Sequence, residues 1–448
     1  MENFSRRSIL RLGGASVLSV AAMSALAACG SGQAGAGSEG GNGATGTITV
    51  WSWTSAATAL RGVVPAFEKA NPGIKVDVQD VGNPAIWDKI TVGMAAGGQG
   101  LADVMHIGCD YLPGYMEKFP GGLANLSTLG ADKYKDSFVK GLWPTVTGKD
   151  GAAYGLPWEV NPLGFFYRED LFKKAGIDPT AFQTWDDVVK AGPALKAALP
   201  GVSLIAIDKP ASASPDLDFF QSLLQLQGSF YFNLQGEITI GSPESIRAMT
   251  VIKDLNDAGL VGDAAGDHGW SRLVGASKVA VAPYPAWAAD YLATKFPDQS
   301  GKWRLTEPPA VTAGGRRTAI VNTTNLAIAG SSQKKVAAWK FVEYALTRPD
   351  SMNLMFKAGG VFPALPAAYA DPIYSQNEKF YGGQPVLKTF TELLDKGSVG
   401  TNYSGDYARA LKLVSDAQVK VFLKQADPAT VLADAAKQLA QQTGRKIA

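Results

Sequence analysis

Two cysteines and two histidines among 448 residues are the scarcest chemistry in this chain. Cys29 lies near the start and Cys109 stands alone in the body, so a small fold stapled by disulfides is excluded. His106 and His268 disfavour a histidine-dependent catalytic triad and a histidine-rich zinc site. Neither a Gly-x-Ser-x-Gly elbow nor a His-Glu-x-x-His pair occurs. A basic excess is also missing. Of 42 basic and 40 acidic residues, the first 28 positions hold Arg6, Arg7, Arg11 and Glu2, leaving the remainder formally neutral. Nucleic acid and anionic membrane surfaces, which attract basic proteins, are therefore poor candidates as partners. Beyond the N-terminus no stretch stays apolar for the roughly 18 residues a membrane-crossing helix needs.

What the N-terminus does contain is an export signal. Ser5-Arg6-Arg7-Ser8-Ile9-Leu10-Arg11 is followed by a weakly apolar stretch to Ala28 and then by Leu26-Ala27-Ala28-Cys29-Gly30. A twin arginine, an apolar core and a small-residue cleavage site mark a leader, residues 1–28, rather than a structural helix. The segment around Cys29 is similar to a lipobox, in which the cysteine becomes the lipidated first residue of the mature chain; the other reading is an ordinary cleaved signal with an incidental cysteine. The expectation is an extracytoplasmic protein, lipid-anchored to the cell membrane. Residues 29–46 are rich in glycine and serine and read as a flexible leash spanning about 20–25 Å as a random coil.

The body reads as alternating strands and helices. Residues 47–53 are β-branched and aromatic; Leu60, Val63, Val64 and Phe67 recur at helical spacing until Asn71-Pro72-Gly73; residues 74–78 resume a strand. A helix over 84–96 leads into a strand over 102–107, which makes a largely parallel sheet with its ligand end after Trp53 and after Cys109-Asp110-Tyr111. The alternation repeats with strands over 202–207 and 278–282, a helix capped by Ser242-Pro243-Glu244, a strand over 325–329, and a last helix opened by Asp427-Pro428.

Five ordered segments carry a resemblance. Phe67-Glu68-Lys69-Ala70-Asn71-Pro72-Gly73 after a strand ending Trp-Ser-Trp, Leu101-Ala102-Asp103-Val104, Tyr154-Gly155-Leu156-Pro157-Trp158 with Phe166-Tyr167-Arg168-Glu169-Asp170, Thr184-Trp185-Asp186-Asp187, and residues 275–287 ending Pro285-Ala286-Trp287 resemble the family 1 extracellular solute-binding proteins, the carbohydrate-capturing lipoproteins of ABC importers. The resemblance covers residues 47–448. It implies an α/β, two-lobed periplasmic-binding-protein-like fold of type II, with one lobe over about 47–156 plus 307–353 and the other over about 157–306 plus 354–448. It also implies capture of a neutral sugar, expected to be an oligosaccharide, in an interlobe cleft, with delivery to ABC permease subunits, no cofactor, no metal and a monomeric state.

A pyranose offers apolar C–H faces and a ring of hydroxyls, so its site needs flat aromatic rings beside Asp, Glu, Asn or Arg. By the resemblance, Asp110 falls at an aspartate after the third strand, Glu159 at a glutamate after the first crossing, Trp287 at a stacking tryptophan and Tyr403 near a C-terminal aromatic platform. Tyr111 stands where an arginine is expected, and Trp53 and Thr54 where a charged pair is expected; both departures point away from maltose itself. Trp158, Trp270, Tyr284, Asn402 and Asp216 complete the candidate set, each with a bland alternative: core packing for the aromatics, helix caps or ion pairs for the polar groups. Arg168, Glu169 and Asp170 read as a surface ion pair and helix cap. Two alternatives stay open: the same fold binding a polyamine, peptide or other small solute, and an exported carbohydrate-active enzyme using Asp110 and Glu159 as its carboxyl pair.

Overall fold

A computed structural model describes residues 44–209, 218–265, 269–397 and 400–448. The leader, Cys29, most of the leash, Asp216 and His268 lie outside the described residues. Among the described residues ten strands run in chain order: β1 Gly46–Ser52, β2 Ile74–Asp80, β3 Val104–Gly108, β4 Leu156–Glu159, β5 Phe165–Arg168, β6 Ile205–Ile207, β7 Val261–Asp263, β8 Val281–Ala282, β9 Trp303–Thr306 and β10 Thr324–Ile328.

The first sheet has the order β2-β1-β3-β10-β4. β1 pairs parallel with β2 and β3, and β10 pairs antiparallel with both β3 and β4. Alternation along the strands gives it two packed faces. Ile48, Val50, Val104, Leu326 and Ile328 share one core with Leu60, Val63 and Phe67 of the helix Thr54–Ala70 and with the helix Lys335–Leu346. Trp51, Met105, Ile107, Ala327 and Ala329 share the other with Ile86 and Ile90 of the helix Ala85–Ala95 and Leu112 of the helix Leu112–Lys118. The helix Thr54–Ala70 stops where the sequence has Asn71-Pro72-Gly73: the Asn71 N–H donates back to the Phe67 carbonyl (2.9 Å), and Gly73 takes φ +106°.

The second sheet combines β8-β5-β9, all antiparallel, with the parallel pair β6-β7. A parallel bridge between Ser203 and Val279 joins the two parts. The strands expected over 202–207 and 278–282 are thus shorter, because Ser203 and Val279 pair only as an isolated bridge at the join. Helices close over this sheet with their starts fixed by side chains. Thr184 and Asp187 form a capping box on Trp185–Ala198, Ser242 caps Pro243–Asp257, and Asp427 caps Pro428–Thr443, the last two with proline in the first turn.

Three chain segments cross between the sheets and lie side by side. The Leu163 N–H donates to the Ala319 carbonyl and the Val321 N–H to Asn161, both at 2.9 Å; the Val160 N–H donates to Phe362 (3.0 Å) and the Ala364 N–H to Trp158 (2.8 Å). Arg168 departs from its expected place at the surface, while its ion pair with Asp170 is present. Its side chain is 3% exposed, not superficial: the guanidinium makes two 2.8 Å bonds to Asp170 and also reaches Ser277 (3.0 Å) and Gln299, because β5 is the middle strand of its sheet and carries Arg168 under the neighbouring loops.

Candidate functional site

The chain leaves β1 and β3 at the same end of the first sheet, and the side chains gathered there form a continuous aromatic surface. Trp53 lies flat on His106, centroids 3.6 Å apart and planes 3° from parallel. Trp87 meets Trp53 edge-on at 5.1 Å and stacks on Tyr111 at 4.3 Å. Beneath them Trp158, fully buried, sits 4.5 Å from His106. The His106 Nδ1 pairs with the Ser52 hydroxyl at 2.9 Å, and burial holds its pKa well below the ordinary histidine value, so the ring is neutral at pH 7.

Asp110 folds back over the end of β3. A Cβ added to Gly108 would come within 2.3 Å of the Asp110 Oδ1 and 3.7 Å of the Trp87 ring, so only glycine leaves room for the carboxyl beside the tryptophan. Burial pushes the Asp110 pKa up to about 6 against the pull of its own and the Tyr111 backbone N–H groups. Thr54 has φ +37°, a strained conformation for a β-branched residue, held by its N–H donating to the Asp80 Oδ1 at 3.0 Å. Its side chain is exposed beside Trp53.

Glu159 ends β4 at a register shift between Thr324 and Asn325 of β10. The Thr324 hydroxyl donates to the Glu159 Oε2 (3.2 Å), and burial raises the carboxyl pKa against that bond and one from Asn161. Five residues on, the Gly164 N–H donates to the Tyr284 carbonyl (2.9 Å) and Leu163 bridges Pro285, which seats the turn after β8 on the crossing itself. That turn carries a second aromatic group. Trp270 stacks on Tyr284 at 4.6 Å, Trp287 stands edge-on to Tyr284 at 5.7 Å and to Trp270 at 6.3 Å, and Tyr291 packs on Trp270 at 5.3 Å with its hydroxyl 2.9 Å from the Ser271 hydroxyl.

The residues expected from sequence therefore fall into three sets. Trp53, Thr54, Asp110, Tyr111 and Trp158 gather at the first sheet, Trp270, Tyr284 and Trp287 at the second, and Glu159 at the crossing between them. Trp158 is wholly buried and acts as a support. Tyr403, 2% exposed, is wedged against Phe230 and Tyr407, and Asn402 spends its amide on the Asn233 carbonyl (2.8 Å) and the Ser404 N–H (3.0 Å), so neither joins the aromatic surfaces. Trp87, His106 and Tyr291 join the aromatic groups without having been expected. Trp87 had a signal, a tryptophan in the first turn of a helix whose inward positions are already filled by Ile86 and Ile90. Among the described residues no group of three or more His, Cys, Asp or Glu is placed to hold a metal ion, and no helix is long and apolar enough to cross a membrane.

Comparison with known proteins agrees with this architecture. The chain is 26% identical over 397 residues to the arabinooligosaccharide-binding protein of Bacillus subtilis (strain 168), spanning 85% of this chain and 88% of that protein. Among solved structures it resembles the ABC transporter associated binding protein of B. animalis subsp. lactis Bl-04 in complex with β-1,6-galactobiose, at a TM-score of 0.71, 25% identity and coverage of 90% and 99%. It also resembles the sugar-binding protein MalE of Xanthomonas citri, at a TM-score of 0.74, 21% identity and coverage of 89% and 98%. The fold is the two-lobed α/β fold of these proteins. Residues 51–351 match the family described as bacterial extracellular solute-binding protein, and the chain belongs to that family.

Proposed function

We propose that this chain is the substrate-binding lipoprotein of an ABC transporter, which captures a neutral sugar of two or more rings between its lobes and presents it to a membrane permease. The observation that carries this reading is the pair of aromatic surfaces, one at the end of each sheet, with Glu159 at the crossing between them. Aromatic planes suit the C–H faces of pyranoses, while Asp110 and Glu159 suit their hydroxyls. The named relatives are described as an arabinooligosaccharide-binding protein, a binding protein in complex with β-1,6-galactobiose and a sugar-binding protein, which favours capture over turnover. We take the crossings between lobes at about 160–164, 307–323 and 360–364; the first lies a few residues beyond 156/157 because Leu156–Glu159 pairs in the first sheet. Ligand touching both surfaces stabilises the closed arrangement over the open one, a population shift driven by contacts present only on closure.

The test is intrinsic tryptophan fluorescence and melting temperature of the chain from residue 47 onward, against arabinose, galactose and glucose oligosaccharides, polyamines and short peptides. A response to one sugar class, with that sugar recovered unchanged, supports the reading; a response only to a polyamine or peptide overturns it, and shortened sugar in the recovered ligand revives the enzyme alternative. Gly108→Ala should lower sugar affinity about tenfold, since the added methyl displaces the Asp110 carboxyl, with little change in melting temperature because φ at Gly108 is not in the left-handed region. Export by the twin-arginine route and lipidation at Cys29 belong to the same reading. Cys29→Ser should move the protein from the membrane fraction to the soluble one, read by fractionation and by loss of incorporated radiolabelled palmitate.

A further inference from the structure

A groove of about 890 Å3 shares no lining residue with the aromatic surfaces just described. Its walls include Glu117, Trp143, Lys149 and Tyr154 from the first half of the chain and Asn402 and Arg445 from the end of it. Trp143 and Tyr154 pack on the core that holds Met105 and Ile107, the core that Trp53, Trp87 and Tyr111 also touch, yet none of those three residues lines the groove. We propose that the groove is a second carbohydrate site, a proposal that rests on the reading of the protein as a sugar receptor.

Three features select the ligand class. The charged groups are already matched: Glu117 meets Arg445 at 3.0 Å and Lys149 at 3.4 Å, Arg445 also meets Asp406 at 2.8 Å, and Asp150 accepts the Tyr154 hydroxyl at 2.8 Å. A charged ligand would have to break one of these pairs, whereas a neutral one need not. The indole of Trp143 and the ring of Tyr154 are half-buried, leaving flat apolar surface for stacking against C–H faces. The volume is at the upper end for small-molecule sites, enough for several sugar rings. Asn402, which sequence reading assigned to sugar, lines this groove rather than the first site.

The groove is also tied mechanically to the first site. The helix Leu112–Lys118 starts directly after Asp110 and Tyr111, and its Glu117 accepts the Gly405 N–H at 3.1 Å in addition to the Arg445 guanidinium. Sugar held between Trp143 and Asn402 therefore couples to sugar at Asp110, and the coupling is reciprocal.

The experiment uses saturation-transfer NMR and calorimetry with maltotriose, arabinotriose and lactose. In the wild-type protein the best of the three should show a tight class and a second class at least tenfold weaker. Asp110→Asn with Trp287→Ala should remove the tight class and keep the weak one; Trp143→Ala added to that pair should remove the rest. Trp143→Ala alone should leave the tight class within about threefold. Leu234→Arg, at a rim position 62% exposed, obstructs the groove without touching a core and should also remove the weak class. A single class in the wild type that Asp110→Asn with Trp287→Ala abolishes, or residual binding indifferent to both Trp143→Ala and Leu234→Arg, overturns the second site. Absence of the tight class with the weak one present instead counts against the first site alone, so the two failures are distinguishable.

Discussion

Trp287→Ala is expected to weaken sugar binding about thirtyfold while the protein stays folded. The indole is half-buried at the start of the helix Trp287–Lys295, edge-on to Trp270 and Tyr284, so it presents a fixed plane whose lost freedom has already been spent in folding. Truncating an aromatic anchor of this kind at an interface costs about 2 kcal/mol, which corresponds to roughly thirtyfold in Kd. Trp287→Phe, which keeps a plane, should recover most of the loss. Calorimetric titration with the preferred sugar checks both; unchanged affinity in Trp287→Ala would remove the second aromatic surface from the site.

Asp110→Asn should separate affinity from stability. The carboxylate accepts hydroxyls more strongly than an amide does, so its loss should weaken binding roughly ten- to hundredfold. Folding has to desolvate that carboxylate, however, and the amide carries no such cost, so the melting temperature at pH 7.5 should hold or rise. The pH dependence follows the same logic. With its pKa pushed up to about 6, Asp110 is ionised at pH 7.5 and half protonated near pH 6, so sugar affinity should fall as pH falls from 7.5 to 5. Because the folded value lies above the ordinary 3.8, the folded state binds the proton more tightly, and this group alone makes the protein more stable as pH falls from about 6 towards 4. Affinity and this contribution to stability thus run in opposite directions, and both slopes should flatten in Asp110→Asn. Parallel slopes, or slopes that survive the substitution, would assign the titration to another group.

Local signals made much of the first sheet and of the helices over the second legible. Asn71-Pro72-Gly73 ended a helix as expected, the capping sequences at Thr184, Ser242 and Asp427 opened theirs, and the strand over 102–107 appears as Val104–Gly108. The placement of candidate residues was legible where a loop follows a strand, as at Trp53, Asp110 and Trp287, which lie at the ends of the sheets. It was not legible where burial decides. Periodicity does not tell that Trp158 and Tyr403 are covered on every side, because the covering groups, among them His106 and Phe230, are distant in sequence. Arg168 misled for the same reason: three polar side chains in a row look solvated until β8 and β9 are placed on either side of their strand. The groove at Trp143 had no sequence signature at all, since its walls come from five separated stretches of chain.

The position of β10 has a consequence for the order in which the molecule can be made. β3 and β4 are emitted early, yet neither touches the other in the finished sheet; β10, made up of residues 324–328, lies between them. Until more than two thirds of the chain has left the ribosome, both strands carry an unsatisfied hydrogen-bonding edge, the kind of surface that recruits other chains. A nascent protein of this topology needs either a holding factor or delayed translocation, and a route that accepts cargo only after the last central strand has slotted home would remove the hazard before the polypeptide meets the membrane.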